Sequence, residues 1–394
     1  MKILYLSYLT DADTFDKVFA GGLEPSVARQ KFEITFIESL LGNPDTKSED
    51  INIVSFVPYN ENVLERVSES EIKGKKINYI WWSRGIKSFI TAVCNVQKVV
   101  RDWYRETNGE KRVILTYATN PLLLLTVLTK RCTLVTICSE VPRFRVMGDS
   151  WRAKLKKEYY HFLNERMDGY IFFSKHMEEV CNFRNKPFMV IEGMPSISDE
   201  KTLNHLVENK KEQIFYAGGL NSENGIVELL HAFVKIERKD VSLVLCGVGN
   251  VVDMVEKFAD GYTNIKYLGS LPNEEILQLE KQSTLLINPR KVDERMTRYS
   301  FPSKTLEYFC SGTACMMTRL EGIPNEYYNY CYECDSSSAD TLAKDLEKVL
   351  SIPQQERNKK AKEAYDFILR EKTSEKQTEK IIDFLHNMCS VHKG

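Results

Sequence analysis

Short unbroken apolar runs recur along this chain, each closed by glycine, an Asn-Pro pair or charged residues before a helix-length segment begins. The first is Ile3 to Tyr8, and others stand at 51–57, 113–117, 134–138, 169–173 and 189–191. Strands buried on both faces read as continuous apolar runs rather than alternating ones. Between them lie helical patterns: one at 27–41, carrying Phe32, Ile34, Phe36 and Leu40, and a charged one at about 151–166. Such alternation predicts a parallel sheet with helices on both faces.

The texture changes at about 195–211, where the chain turns polar and reads as a linker. A second series follows, with strands at 214–217, 242–246, 265–268, 285–288 and 314–317. Its helices fall at 226–236, 251–258, 274–281 and 303–310, and a charged helical tail begins near 354. A length of 394 residues with 43% hydrophobic content suffices for two cores. The expectation is an α/β chain of two Rossmann-like, doubly wound domains facing across a cleft. They span residues 1–200 and 208–372, with a last helix at about 375–394 free to pack back on the first.

Lys and Arg number 54 against 55 Asp and Glu, a net charge of −1, without the basic excess of a nucleic-acid binder. No stretch of about 18 uncharged apolar residues and no secretory leader is evident, so a cytoplasmic protein is expected. Ten cysteines are scattered without a framework and read as buried thiols in a reducing compartment. Cys331 and Cys334 form a lone CxxC pair, half a zinc site, and the six histidines show no ligand spacing. No metal or resident cofactor is expected.

The segment richest in chemistry runs from Asn288 to Gly312. It leaves an apolar strand, crosses a loop bearing Arg290, Lys291, Arg295 and Arg298, and enters a helix at Pro302, Ser303 and Lys304. Proline suits a first helical turn, and the free amides there attract an anion. Basic side chains around that turn would complete a diphosphate pocket. Glu307, one turn further in, could accept both hydroxyls of a ribose. Read singly, these are also a basic loop and an ordinary helix glutamate.

Three strand ends supply turns. Gly218 and Gly219 serve equally as a close approach to a ligand or as a plain turn. Gly247 and Gly249 form a GxG without the third glycine of a dinucleotide fingerprint. Gly269, Ser270, Leu271, Pro272 and Asn273 make a turn with Asn273 read as the cap of the next helix, able to present backbone to a base. In the first half, Gly21 and Gly22 follow the first strand and its long loop, as a diphosphate approach or a flexible link. Glu140, Arg143 and Arg145 follow another strand and could meet an acceptor or simply face water. Trp81, Trp82 and Arg84, with Lys87 and Phe89, read as packed aromatics, with contact to a membrane surface the other option.

Together these segments resemble the GT-B superfamily of glycosyltransferases and, within it, the retaining bacterial enzymes of family 4. The resemblance spans nearly the whole chain and is most specific over 213–326, at 215–220, 264–269 and 300–312. It implies a nucleotide-diphospho-sugar donor, a UDP-sugar by preference, held by the second domain. A glycan or lipid-linked acceptor would sit on the first, in the making of a surface or capsular polysaccharide. By that resemblance Glu307 matches the ribose-binding glutamate, and Ser303 and Lys304 the phosphate-side turn, with Pro302 beside them. The leaving phosphate itself would take the acceptor's proton. Two departures stand out. Tyr299 occupies the place of a second glutamate, leaving Glu294 to stand in for the donor-sugar contact. Gly219 and Asn224 stand where the family carries an arginine and a lysine, so Arg290, Arg298 or Lys304 must supply the charge. A sugar-nucleotide epimerase of similar fold and a non-catalytic nucleotide-sugar binder are the alternatives. A place at the inner face of a membrane is compatible with each.

Overall fold

A computed structural model describes residues 1–23, 26–146, 148–195, 210–293 and 296–391. The chain divides into two compact units: Met1–Met194 with Tyr299–Phe301 and Ser374–Gly394, and Pro195–Arg298 with Pro302–Thr373.

The first unit is built on eight strands: β1 (Lys2–Ser7), β2 (Ile51–Pro58), β3 (Glu69–Ile72), β4 (Lys75–Trp82), β5 (Arg112–Tyr117), β6 (Thr133–Cys138), β7 (Gly169–Phe172) and β8 (Phe188–Val190). Their order is β3-β4-β2-β1-β5-β6-β7-β8, and all pairs are parallel except β3 on β4. The run of Ile3, Leu4, Tyr5 and Leu6 is at most 1% exposed, as a strand covered on both faces demands. Successive strands change direction across the sheet between β1 and β5, so the loops after those two diverge and leave a crevice at their carboxyl ends. The closing helix Ser374–Val391 packs against the helix Val27–Gly42 and strands β5 and β6, burying Ile381, Ile382 and Leu385.

The second unit holds β9 (Lys211–Ala217), β10 (Ser242–Cys246), β11 (Ile265–Tyr267), β12 (Ser283–Asn288), β13 (Cys315–Thr318) and β14 (Tyr332–Cys334). All are parallel, in the order β11-β10-β9-β12-β13-β14. Counted within the unit this is 3-2-1-4-5-6, the doubly wound nucleotide-binding order, with its switch point between β9 and β12. Its core joins Ile214, Leu243, Leu285 and Met316 of the sheet to Leu229, Phe233, Leu342 and Leu346 of the helices.

Several elements differ from the sequence reading. The hairpin β3–β4 and the helix Ile86–Glu106 fill a stretch whose pattern gave no assignment, as do the helix Ala339–Leu350 and β14. A helix, Ala12–Ala20, precedes Gly21, so the glycine pair closes a helix rather than a long loop. Asp11 caps that helix by accepting from the Thr14 amide at 2.8 Å. Pro272, not Asn273, holds the cap position of the helix Asn273–Gln282, and Pro302 likewise precedes the first turn of Ser303–Cys310. Proline and its extended predecessor end the loop one residue before helical geometry begins.

Candidate functional site

The candidate site lies where three strand ends of the second unit meet the helix Ser303–Cys310. Strand β9 ends in Gly218 and Gly219, β10 in Gly247, and β12 in Pro289 and Arg290. The loops are laced by backbone. The Gly218 amide donates to the Cys246 carbonyl at 2.9 Å, and the Gly247 amide to Gly269 at 2.8 Å. The Leu220 amide reaches Val248 at 2.8 Å.

This closeness explains the glycines. A side-chain carbon on Gly247, whose φ is +130°, would lie 1.8 Å from the Gly218 carbonyl oxygen. On Gly249 it would meet the Leu220 oxygen at 2.1 Å. At Gly218 the obstacle is a side chain: Lys304 Cε lies 2.5 Å from where a β-carbon would be. Lys304 therefore runs directly over the first glycine loop. Its Nζ stands 6.0 Å from the Tyr216 ring and 5.7 Å from the Tyr308 ring, and 3.8 Å from Glu307 Oε2.

Side chains beside the glycines hold this frame. The Tyr216 hydroxyl donates to the Gly219 carbonyl at 3.0 Å, and Asn224 Nδ2 to the same oxygen at 2.8 Å. Tyr267 donates to the Gly247 carbonyl at 2.9 Å. Asn221 and Asn250 tie the two loops reciprocally: the Asn250 amide donates to Asn221 Oδ1 at 2.8 Å, and the Ser222 amide to Asn250 Oδ1 at 3.1 Å. Tyr216 and Tyr267 lie within β9 and β11, and Asn221 and Asn250 are marked in the sequence only by their position after a strand.

Arg290 leaves β12 at the switch point. Burial holds its guanidinium below the ordinary arginine range, with Tyr216, Asp293 and Glu223 opposing the shift. Among the described residues its side chain makes no hydrogen bond or ion pair. A partly buried cation that no hydrogen-bonded carboxylate neutralises is costly, and an anionic ligand relieves that cost. Of the other loop cations among the described residues, Lys291 pairs with Glu228 at 2.7 Å, and Arg298 pairs with Glu321. No side chain caps the helix Ser303–Cys310, and Ser303 is exposed at its start. Its leading amides and the positive end of its dipole thus add to Lys304 and Arg290. Tyr308 anchors the helix by donating to the Ile287 carbonyl at 3.3 Å.

The remaining residues singled out by sequence fall as follows. Ser270 is exposed and Leu271 half-buried, on the turn after β11. Glu294 and Arg295 lie outside the described residues, as does the Arg145 side chain. Gly21 belongs to the first unit and packs against Val63 Cγ2, which a β-carbon would meet at 2.7 Å; Gly22 follows at φ +77°. Glu140 and Arg143 follow β6, and Arg143 stacks on Phe144 and Phe183, 5.6 Å from each ring centre. Tyr299, grouped with the first unit, sets its ring edge-on to Phe144 at 5.6 Å and its hydroxyl 3.5 Å from Glu179 Oε2. Trp81 is half-buried and donates to the Val67 carbonyl at 2.6 Å, against Tyr59 and Tyr79.

Among the described residues no cluster of three or more histidine, cysteine or carboxylate groups could hold a metal ion, and no helix is long and apolar enough to cross a membrane. The ten cysteines are all unpaired thiols.

Residues 198–367 match the family model of glycosyl transferases group 1. No curated protein matches the chain. Among solved structures, sucrose-phosphate synthase from Thermosynechococcus elongatus is similar over 99% of this chain and 100% of its own, at 11% identity and TM-score 0.72. The Anabaena protein Alr3699/HepE, in complex with UDP, is similar over 98% and 100%, at 13% identity and TM-score 0.67. A UDP-forming alpha,alpha-trehalose-phosphate synthase from Burkholderia xenovorans, in complex with glucose-6-phosphate, is similar over 98% and 100%, at 10% identity and TM-score 0.64. The fold is thus α/β of the GT-B type, with two Rossmann-like domains, and the matched domain makes the chain an enzyme of the glycosyltransferase class.

Proposed function

We propose that this chain moves a sugar from a nucleoside-diphosphate donor, a UDP-sugar, onto a glycan or lipid-linked acceptor. The anomeric configuration is retained and the product is a surface or capsular polysaccharide. The observation that carries the reading is the pairing of a desolvated, uncommitted Arg290 with a Lys304 laid over the first glycine loop, inside the matched domain. In this reading the diphosphate lies against Gly218, Gly219 and the start of the helix Ser303–Cys310. Glu307 accepts the ribose hydroxyls, and the turn at Ser270 and Leu271 lies by the base. Arg290 and Lys304 stabilise the charge that develops as the diphosphate departs. That removes the need for a metal ion. The departing phosphate oxygen takes the proton of the acceptor hydroxyl, and Glu140 and Arg143 contact the acceptor. The UDP held by the Anabaena relative supports uracil as the base.

The test is titration of the protein with UDP and GDP, followed by donor turnover with and without acceptor. UDP binding should be lost by about tenfold or more in Glu307→Ala, a carboxylate-to-hydroxyl contact being worth roughly 1.5–3 kcal/mol. An affinity unchanged by that substitution removes Glu307 from the donor site. A protein that holds UDP-sugar without ever releasing UDP is a binder, and the transferase reading then falls.

A further inference from the structure

Of the large apolar side chains left exposed in the first unit, four gather at the starts of two helices. Trp151 is 67% exposed and Leu155 61%, one turn apart on the helix Trp151–Asn164. Ile86 is 80% exposed and Ile90 55%, one turn apart on the helix Ile86–Glu106. Residues four apart lie on one side of a helix, so each pair forms a short apolar stripe. Each helix follows a parallel strand, β6 or β4, so both begin at the carboxyl edge of the sheet. Both pack on the same turn, Pro121–Leu123, and Tyr159 donates to the Pro121 carbonyl at 2.6 Å. The stripes therefore share one side and one edge of the unit.

The charge around them is mostly basic, with Asp149 and Glu158 as the acidic exceptions near the start of Trp151–Asn164. Arg152, Lys154 and Lys156 are exposed and, among the described residues, have no side-chain hydrogen bond or ion pair. Lys157 pairs with Asp149 at 3.5 Å, and the next acidic residue along the helix is Glu158. Arg84 and Lys87 are exposed beside Ile86. Ala153 alone is buried in the first two turns of Trp151–Asn164, so that end stands proud of the core. It is nevertheless fixed: Ser150 accepts from the Ala153 amide at 3.2 Å.

We infer that the leading turns of these two helices dock on an anionic lipid bilayer. Trp151, Leu155, Ile86 and Ile90 enter the headgroup boundary, and the flanking arginines and lysines meet acidic headgroups. Tryptophan favours that boundary because its ring is apolar and its N–H is polar. A short apolar stripe with basic flanks binds by both effects together, neither being sufficient alone. The carboxyl edge that faces the bilayer is the one carrying Glu140 and Arg143. The docking thus rests on the proposed use of a lipid-linked acceptor for its purpose, while lipid binding is measurable without any sugar transfer.

The experiment is cosedimentation of the whole chain with vesicles of phosphatidylcholine alone or with about one third phosphatidylglycerol. Binding should require the acidic lipid and weaken as salt rises. Trp151→Ser with Leu155→Ser should reduce partition by roughly tenfold, and Arg152→Glu with Lys154→Glu and Lys156→Glu should abolish it. Thermal melts of each variant report an intact first unit, and UDP binding is measured in parallel. Absence of binding to acidic vesicles, or variants that bind as well as the parent, overturns the inference. So does self-association that the same substitutions remove, which would assign the patch to a second copy of the chain. If vesicle binding behaves as expected while UDP fails to bind, the docking stands and the donor reading falls.

Discussion

A methyl group added to Gly247 would need to pass through the carbonyl of Gly218, 1.8 Å away, and neither backbone segment can yield without opening the sheet end. Gly247→Ala should therefore cost roughly 2–4 kcal/mol, measured by urea unfolding, and should weaken UDP binding with it. Glu33 makes a different prediction. It is fully buried, accepting from the Tyr5 hydroxyl at 2.8 Å and the Tyr8 amide at 3.2 Å. Burial pushes its carboxyl from 4.5 up to about 7, against the pull of Tyr5, Arg29 and the Tyr8 amide. The folded chain thus holds a proton that the unfolded chain has released. This contribution is fully present below about 4.5 and is lost as pH rises through about 7. Glu33→Gln stays neutral throughout, so the parent should lose up to roughly 3 kcal/mol relative to it across that window. Parallel thermal melts at several pH values measure this, and equal slopes would show that Glu33 is ionised in the fold.

At the scale of elements, the loops after β9 and β10 behave as one piece because Asn221 and Asn250 tie them. Asn221→Ala should cost about 1 kcal/mol and loosen UDP binding more than it lowers the melting temperature, since its bonds hold the site rather than the core. Proton exchange at the Ser222 and Asn250 amides would report the loosening directly. The strands were legible in the sequence because buried parallel strands are uninterrupted apolar runs, and the helix at Ser303 because proline and a polar loop precede it. The hairpin β3–β4 was not, since Glu69–Ile72 is a polar edge strand and Lys75–Trp82 begins with two lysines. The helix Ile86–Glu106 was passed over although Ala92, Val93, Val96, Val100 and Trp103 recur at helical spacing and are buried. Arg290, Lys304 and Glu307 stand out in the sequence as charged groups after a strand and at a helix start. That Arg290 is uncommitted while Arg298 is paired to Glu321 depends on residues distant in sequence, and no local pattern carries it.

At the scale of the molecule, the last helix belongs to the first unit. Ser374–Val391 covers the helix Val27–Gly42 and the ends of β5 and β6, and the Cys389 thiol donates to the Met1 sulfur at 3.6 Å. Removing residues 374–394 would expose the apolar faces of Ile381, Ile382 and Leu385's partners on that unit, a loss of several kcal/mol at roughly 25 cal/mol per Å². The truncated chain should show an early unfolding transition by calorimetry. UDP binding by the second unit should persist below that temperature. A single unshifted transition would mean that the helix contributes little. The same arrangement sets an order of events during synthesis. The helix Ser374–Val391 leaves the ribosome after the second unit and completes the first, so the second unit can reach its native form while the first still waits for that helix.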